Sequence, residues 1–249
     1  SKLVFPLLEP SEVGSNIPNA EFYMLEASIH GAQTPTVRKH SSMSQVSYHD
    51  RQEIPNWLLY TMLFSTTIIC FGNYYVYDFP QALQTPFNDK LGIGPSDTNL
   101  FYSAYGLPNM FLTFFGGVFI QCMGDQKALL TFVTLIVSGQ AIFGIGTVMN
   151  NYWLMFAGRV VFGLGGENNL VVQCFVVEKW FSGRMVSIAF GLVMIFNLAG
   201  TTLNNFLTPL SYELLDGDFG SVFLFSFIPL GVSVAASITY CVLARNTVT

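Results

Sequence analysis

Charge is what this sequence has least of. Only 10% of its residues are Asp, Glu, Lys or Arg, while 51% are hydrophobic and 15% aromatic. Soluble domains carry about 25% charged residues, so the default class is a polytopic membrane protein. Ten basic residues against fifteen acidic ones give a net charge of −5, which argues against the basic patch that a nucleic-acid surface needs. Histidine is scarce too, and His30, His40 and His49 all precede the first long apolar run. The four cysteines, Cys70, Cys122, Cys174 and Cys241, sit inside apolar runs at no metal-ligand spacing. They read as small buried apolar residues, not as a disulfide framework. Neither a metal site nor a cofactor is expected. The sequence also lacks a phosphate-binding glycine loop, a HExxH zinc helix and a nucleophile elbow, so an enzyme has no motif to rest on.

What the chain has in quantity is apolar length. Crossing a hydrocarbon core of about 30 Å takes about 20 apolar residues of helix. Six runs qualify: Trp57–Tyr77, Asn99–Ile120, Ala128–Met149, Trp153–Lys179, Val186–Leu210 and Val222–Leu243. Trp57, Tyr77, Trp153 and Trp180 stand where interfacial aromatic belts belong. Among the loops, Lys90 is alone on one side, whereas Arg38, Lys39, Arg51, Lys127, Lys179, Arg184 and Arg245 fall on the other. The positive-inside rule then places both termini on the cytoplasmic side, or the matrix side of a mitochondrion. The expected fold is an all-α integral membrane bundle of six transmembrane helices over residues 55–249 in a lipid bilayer. Residues 1–54 form a polar, Ser- and Pro-containing tail that would be disordered in isolation, and it is expected to be held by a partner. Leu3–Leu8 is too short, and too interrupted by Pro6, for a signal peptide. Ser1 in place of an initiating Met fits a processed or truncated chain.

The fourth run, WLMFAGRVVFGLGGENNLVVQCFVVEK, is the unusual one. It carries Arg159, Glu167, Asn168, Asn169 and Gln173 within its apolar length. Charged side chains at membrane depth face a protein interior or a wet cavity, and they mark function by default. Arg159 and Glu167 are eight residues apart, about 12 Å along a helix and about 80° around it, so they can flank one cavity without pairing. Gly163, Gly165 and Gly166 clear one flank for a close neighbour. Glu167 reads either as a binder of a proton or a solute amine, or as a structural carboxylate. Arg159 reads as a brace on backbone carbonyls or as a carboxylate binder, the brace favoured by its place nearer the interface. Asn197, Asn204 and Asn205 on the fifth run and Gln140 on the third add amides that glue helices or line a wet centre. Asp78, before the helix-breaking Pro80, is a solvated helix end or a gate at the cavity mouth.

Several stretches resemble the major facilitator superfamily, in particular a lysosomal branch. Tyr77 to Gln84 (YDFPQALQ) is similar to a YDxPxALQ segment after the first helix of that branch, and Phe114 to Gly117 to its FFGG. Gly158 to Glu167 (GRVVFGLGGE) is similar to its GRFVFGxGGE fourth helix. Trp180-Phe181, Phe190 to Leu192 and Asn204 extend the likeness, which covers roughly residues 57–210. The resemblance implies the N-terminal six-helix half of a twelve-helix transporter, paired with a second bundle, in a lysosomal, vacuolar or other endomembrane. The mitochondrial inner membrane is the alternative. It also implies a small organic solute, such as a small peptide or amino acid, whose amine meets Glu167. Asn168, Gln173, Asn197 and Asn204 would complete the binding cavity, with Arg159, Asp78 and Asp125 structural or gating. The chain departs from the pattern at the loop latch, where Gln121 replaces an Asp and only Asp125 and Lys127 are near, and at Leu198, where a basic residue is expected. These departures support a second reading, a transport-inactive structural subunit that packs with other membrane subunits.

Overall fold

Long apolar runs leave the backbone little to bond but itself, and the computed structural model of the chain is helical almost throughout the described residues, 55–248. The tail 1–54, with its expected partner, lies outside them. The helices are α1 (Asn56–Ile68), α2 (Phe71–Tyr77), α3 (Phe79–Ala82), α4 (Gln84–Leu91), α5 (Pro95–Met123), α6 (Asp125–Val148), α7 (Tyr152–Trp180), α8 (Arg184–Leu214) and α9 (Phe219–Val248). Helices α6, α7, α8 and α9 are each long and apolar enough to cross a membrane. Helix α5 makes a fifth if its two portions, Pro95–Leu112 and Phe115–Met123, bent by 66°, count as one span.

The first expected span, Trp57–Tyr77, is not a single helix. It divides at Ile69–Cys70 into α1 and α2. The break meets a side chain from far along the chain. The Ser233 hydroxyl on α9 accepts from the Gly72 amide at 2.7 Å and donates to the Ile68 carbonyl at 3.0 Å, so it occupies the place of a helical hydrogen bond. The connection expected after Asp78 as a loop instead holds the short helices α3 and α4.

Two later helices start on side-chain caps. Asn151 Oδ1 accepts from the Leu154 amide at 3.2 Å to begin α7, and Asp218 accepts from the Ser221 amide and hydroxyl at 2.8 and 2.6 Å to begin α9. Both satisfy amides that the first helical turn leaves unpaired. The Ser221 bonds hold the Asp218 carboxyl below the usual carboxylate range.

Packing falls into three apolar layers. Leu58, Leu129, Trp180 and Ala244 share the layer at one end, Tyr105, Ile136, Phe162 and Leu230 the middle, and Phe87, Phe143, Met155 and Phe223 the other end. The starts of α1 and α6 therefore lie beside the ends of α7 and α9. Contact between α6 and α7 is nearly backbone on backbone. A Cβ on Gly158 would come within 2.5 Å of the Phe143 amide nitrogen, and one on Gly165 within 2.6 Å of the Phe132 carbonyl oxygen. Small residues at such crossings are how membrane helices gain dispersion contact.

Gly158→Ala is accordingly expected to destabilise the bundle by about 1–3 kcal/mol through overpacking. Gly191 on α8 meets nothing within 4 Å, so Gly191→Ala should be neutral, or stabilising by up to about 1 kcal/mol through helix propensity. Unfolding midpoints in detergent read both, and an unchanged midpoint for Gly158→Ala would contradict the close crossing.

Candidate functional site

The glycines of GLGGE do two jobs on α7. Gly165 admits α6, whereas Gly163 and Gly166 admit α5 at Tyr105: a Cβ on Gly163 would lie 2.6 Å from the Tyr105 carbonyl, and one on Gly166 2.6 Å from the Tyr105 hydroxyl. That clearance lets the Tyr105 hydroxyl reach past Gly166 and donate to Glu167 Oε1 at 2.8 Å. Tyr77 stands edge-on to Tyr105 at 4.8 Å between ring centroids. Asn73, buried, donates to the Gly166 carbonyl at 3.3 Å, and its own Oδ1 has no partner. Asn73, Tyr74, Tyr77, Tyr105 and Glu167 together line a recess of about 30 Å³. Its chemistry is one half-buried carboxylate, one carboxamide side chain and three phenol rings, with no basic side chain in the wall.

Of the five residues expected to build the cavity, only Glu167 lines this recess. Asn168 is buried, donates to the Leu164 carbonyl of its own helix at 3.1 Å and faces Gly116, where a Cβ would come within 2.8 Å of its Oδ1. Gln173 donates to the Thr66 carbonyl at 2.7 Å and accepts from Asn197 at 3.3 Å, which ties α1, α7 and α8. Asn204 accepts from Thr208 at 2.6 Å, whose hydroxyl lies 3.2 Å from that of Tyr75. Of these, the Gln173 and Asn197 amides join helices to one another, whereas Asn168 and Asn204 bond within their own. Asn73 and Tyr105 escaped the reading of the sequence. An amide inside the first apolar run was the available signal for Asn73; for Tyr105 there was none beyond its place on the second run.

The residues expected to be structural or gating sit elsewhere. Arg159 is 2% exposed, and its guanidinium donates to the Val76 and Tyr77 carbonyls at 3.3 Å. It therefore caps the end of α2, over the Phe143 ring at 4.4 Å. Asp78 follows at the turn between α2 and α3, half-buried. Asp125 starts α6 at the opposite end of the bundle. It accepts from Lys179 Nζ at 2.9 and 3.0 Å and from the Tyr240 hydroxyl, to which Trp180 Nε1 donates at 3.1 Å. One carboxylate thus fastens α6, α7 and α9.

A sequence profile of the Major Facilitator Superfamily matches residues 62–247. The chain belongs to the major facilitator superfamily. Its similarity to curated members is to lysosomal dipeptide transporter MFSD1. With the Homo sapiens protein it is 33% identical over 175 residues, 70% of this chain and 37% of that protein. With the Mus musculus protein the figures are 34% over 173 residues, 69% and 37%. With the Danio rerio protein they are 34% over 153 residues, 60% and 33%. The chain thus spans about a third of the length of these curated relatives. Membership of this superfamily accounts for the apolar helices and identifies the chain as part of a membrane transporter family, as the resemblance of GRVVFGLGGE implied.

Removing Asp125 strands a cation and a phenol, whereas removing Lys179 leaves Asp125 its Tyr240 bond. Asp125→Ala should therefore cost about 2–3 kcal/mol and Lys179→Ala about 1 kcal/mol or less, read from unfolding in detergent. The opposite order would contradict the three-helix fastening.

Proposed function

We propose that this chain supplies the first bundle of a major facilitator transporter, whose recess takes the protonated amine of a small organic solute, the size of an amino acid or small peptide. The carrying observation is the half-buried Glu167 carboxylate, held by Tyr105 in the wall of a recess it shares with Asn73. An ammonium carries three donors and no acceptor, which suits a wall made of acceptors and ring faces. Tyr74, Tyr77 and Tyr105 add cation–π attraction within reach of the same charge. At about 30 Å³ the recess has room for an amine head and not for a whole solute, so the rest of the cavity belongs to a facing bundle.

On this reading the α1–α2 pair and α5 each cross the bilayer once, giving six crossings with both ends cytoplasmic. The packing of Leu58 beside Ala244 at one end supports this, as do the basic residues Lys127, Lys179, Arg184 and Arg245 near it. A lysosomal or other endomembrane location follows the relatives, which are lysosomal dipeptide transporters by name. A transport-inactive structural subunit draws no support from such relatives.

The test is uptake of tritiated alanyl-alanine into proteoliposomes that carry the full protein. Glu167→Gln should abolish saturable uptake while the unfolding midpoint stays close to wild type, and N-acetylated alanyl-alanine should fail to compete. Undiminished uptake by Glu167→Gln would remove the carboxylate from solute binding.

A further inference from the structure

Helix α2 is seven residues long, yet it carries Asn73, Tyr74 and Tyr77, three of the five walls of the recess. Its direction is therefore a property of the site. In an unbroken helix the Gly72 amide would donate to the Ile68 carbonyl, four residues back. Ser233 Oγ takes both partners of that bond, at 2.7 and 3.0 Å. Only a group that accepts and donates through one atom can stand there, as a hydroxyl does, and a side chain inserted into the helical ladder bends the helix.

The seat is built for this insertion. Ser233 is 2% exposed. Gly72 brings α2 onto the α9 backbone, where a Cβ would come within 2.7 Å of Leu230 Cα, and Gly200 of α8 meets the Phe71 carbonyl, where a Cβ would lie at 2.5 Å. Backbone contacts wedge α2 between α8 and α9. A single hydroxyl stands in the break from α1.

We propose that Ser233 is a positioning residue for the recess: its hydroxyl keeps the first span broken so that Asn73, Tyr74 and Tyr77 face Glu167. It touches no solute itself. This rests on the reading of the recess as a solute-amine site. Without the hydroxyl, the Gly72 amide closes on the Ile68 carbonyl, the span straightens, and α2 turns away from Glu167. The same turn takes Cys70, fully buried at the break with its sulfur 3.3 Å from Asn169 Nδ2, out of its seat.

The experiment uses the full protein with Ser233→Ala, Ser233→Thr and Ser233→Val. Threonine keeps the hydroxyl, and valine has the same shape without it. Two readouts are taken: alkylation of Cys70 relative to the exposed Cys122 of the same chain, and KM and Vmax for tritiated alanyl-alanine in proteoliposomes. The alanine and valine variants should raise both the Cys70 ratio and KM about fivefold, the worth of one net hydrogen bond, with Vmax little changed. Threonine should restore both. An unchanged ratio and KM in Ser233→Ala overturns the proposal, and the threonine–valine comparison decides it if the alanine variant does not fold. A lowered unfolding midpoint with Vmax falling and KM unchanged, or neither moving, marks a merely structural serine and also overturns it. If wild type shows no saturable uptake, the transport reading fails by itself and the Cys70 ratio alone decides: slower alkylation with threonine than with valine upholds Ser233, and equal rates reject it.

Discussion

A bilayer offers no hydrogen bonds to the groups it surrounds, so every polar side chain on α7 must find its partner inside the bundle. Three of those side chains, and one backbone carbonyl, find theirs on the first span. Gln173 bonds the Thr66 carbonyl, Asn169 the Cys70 sulfur, the Gly166 carbonyl accepts from Asn73, and Arg159 bonds the Val76 and Tyr77 carbonyls. Steps of three to seven residues down α7 match steps of three or four up α1–α2, as antiparallel helices require. This seam crosses the break at Ile69–Cys70 without losing register. The two pieces of the first span are therefore held by the same neighbour, and the break redirects α2 without freeing it.

The polar seam explains why the fold was more legible than the site. Apolar length located α6, α7, α8 and α9 within a few residues, because helix formation in an apolar solvent is decided locally. The division of Trp57–Tyr77 was not legible. Gly72 lowers helix propensity at the break, but the hydroxyl that takes its amide belongs to a serine more than 160 positions later, and only packing brings it there. Periodicity likewise shows which face of α7 is polar but not what meets that face. Asn168, Gln173, Asn197 and Asn204 were read as cavity walls; all four are buried, with bonds to Leu164, Thr66 and Thr208 and between Gln173 and Asn197, while Asn168 Oδ1, Asn197 Oδ1 and Asn204 Nδ2 have no partner. Glu167 differs because the group that meets it is a phenol at the edge of a recess.

Glycine spacing carries more of this site than the polar residues do. Gly158 and Gly165 are seven apart and face α6, while Gly163 and Gly166 are three apart and face α5. Two sets on one helix draw two neighbours in at different angles. The second set decides the chemistry, since any side chain at Gly166 would occupy the space of the Tyr105 hydroxyl and leave Glu167 without its donor. A motif whose letters look like helix-packing residues is thus also a description of how one carboxylate is oriented.

On the proposed reading the recess is half of a site, and its charge says which half. Its walls offer a carboxylate, a carboxamide and three rings, and the arginine of α7 bonds the carbonyls that end α2. Such a wall attracts the positive end of a solute and offers nothing to a carboxylate at the other. Leu198, at the position where the resemblance called for a basic residue, is 66% exposed and apolar, so α8 does not supply the missing charge there. A solute with a free carboxylate would have to be read at that end by a facing surface, and a solute without one would need no such partner. Selectivity between the two therefore depends on the bundle opposite, while this one fixes the amine.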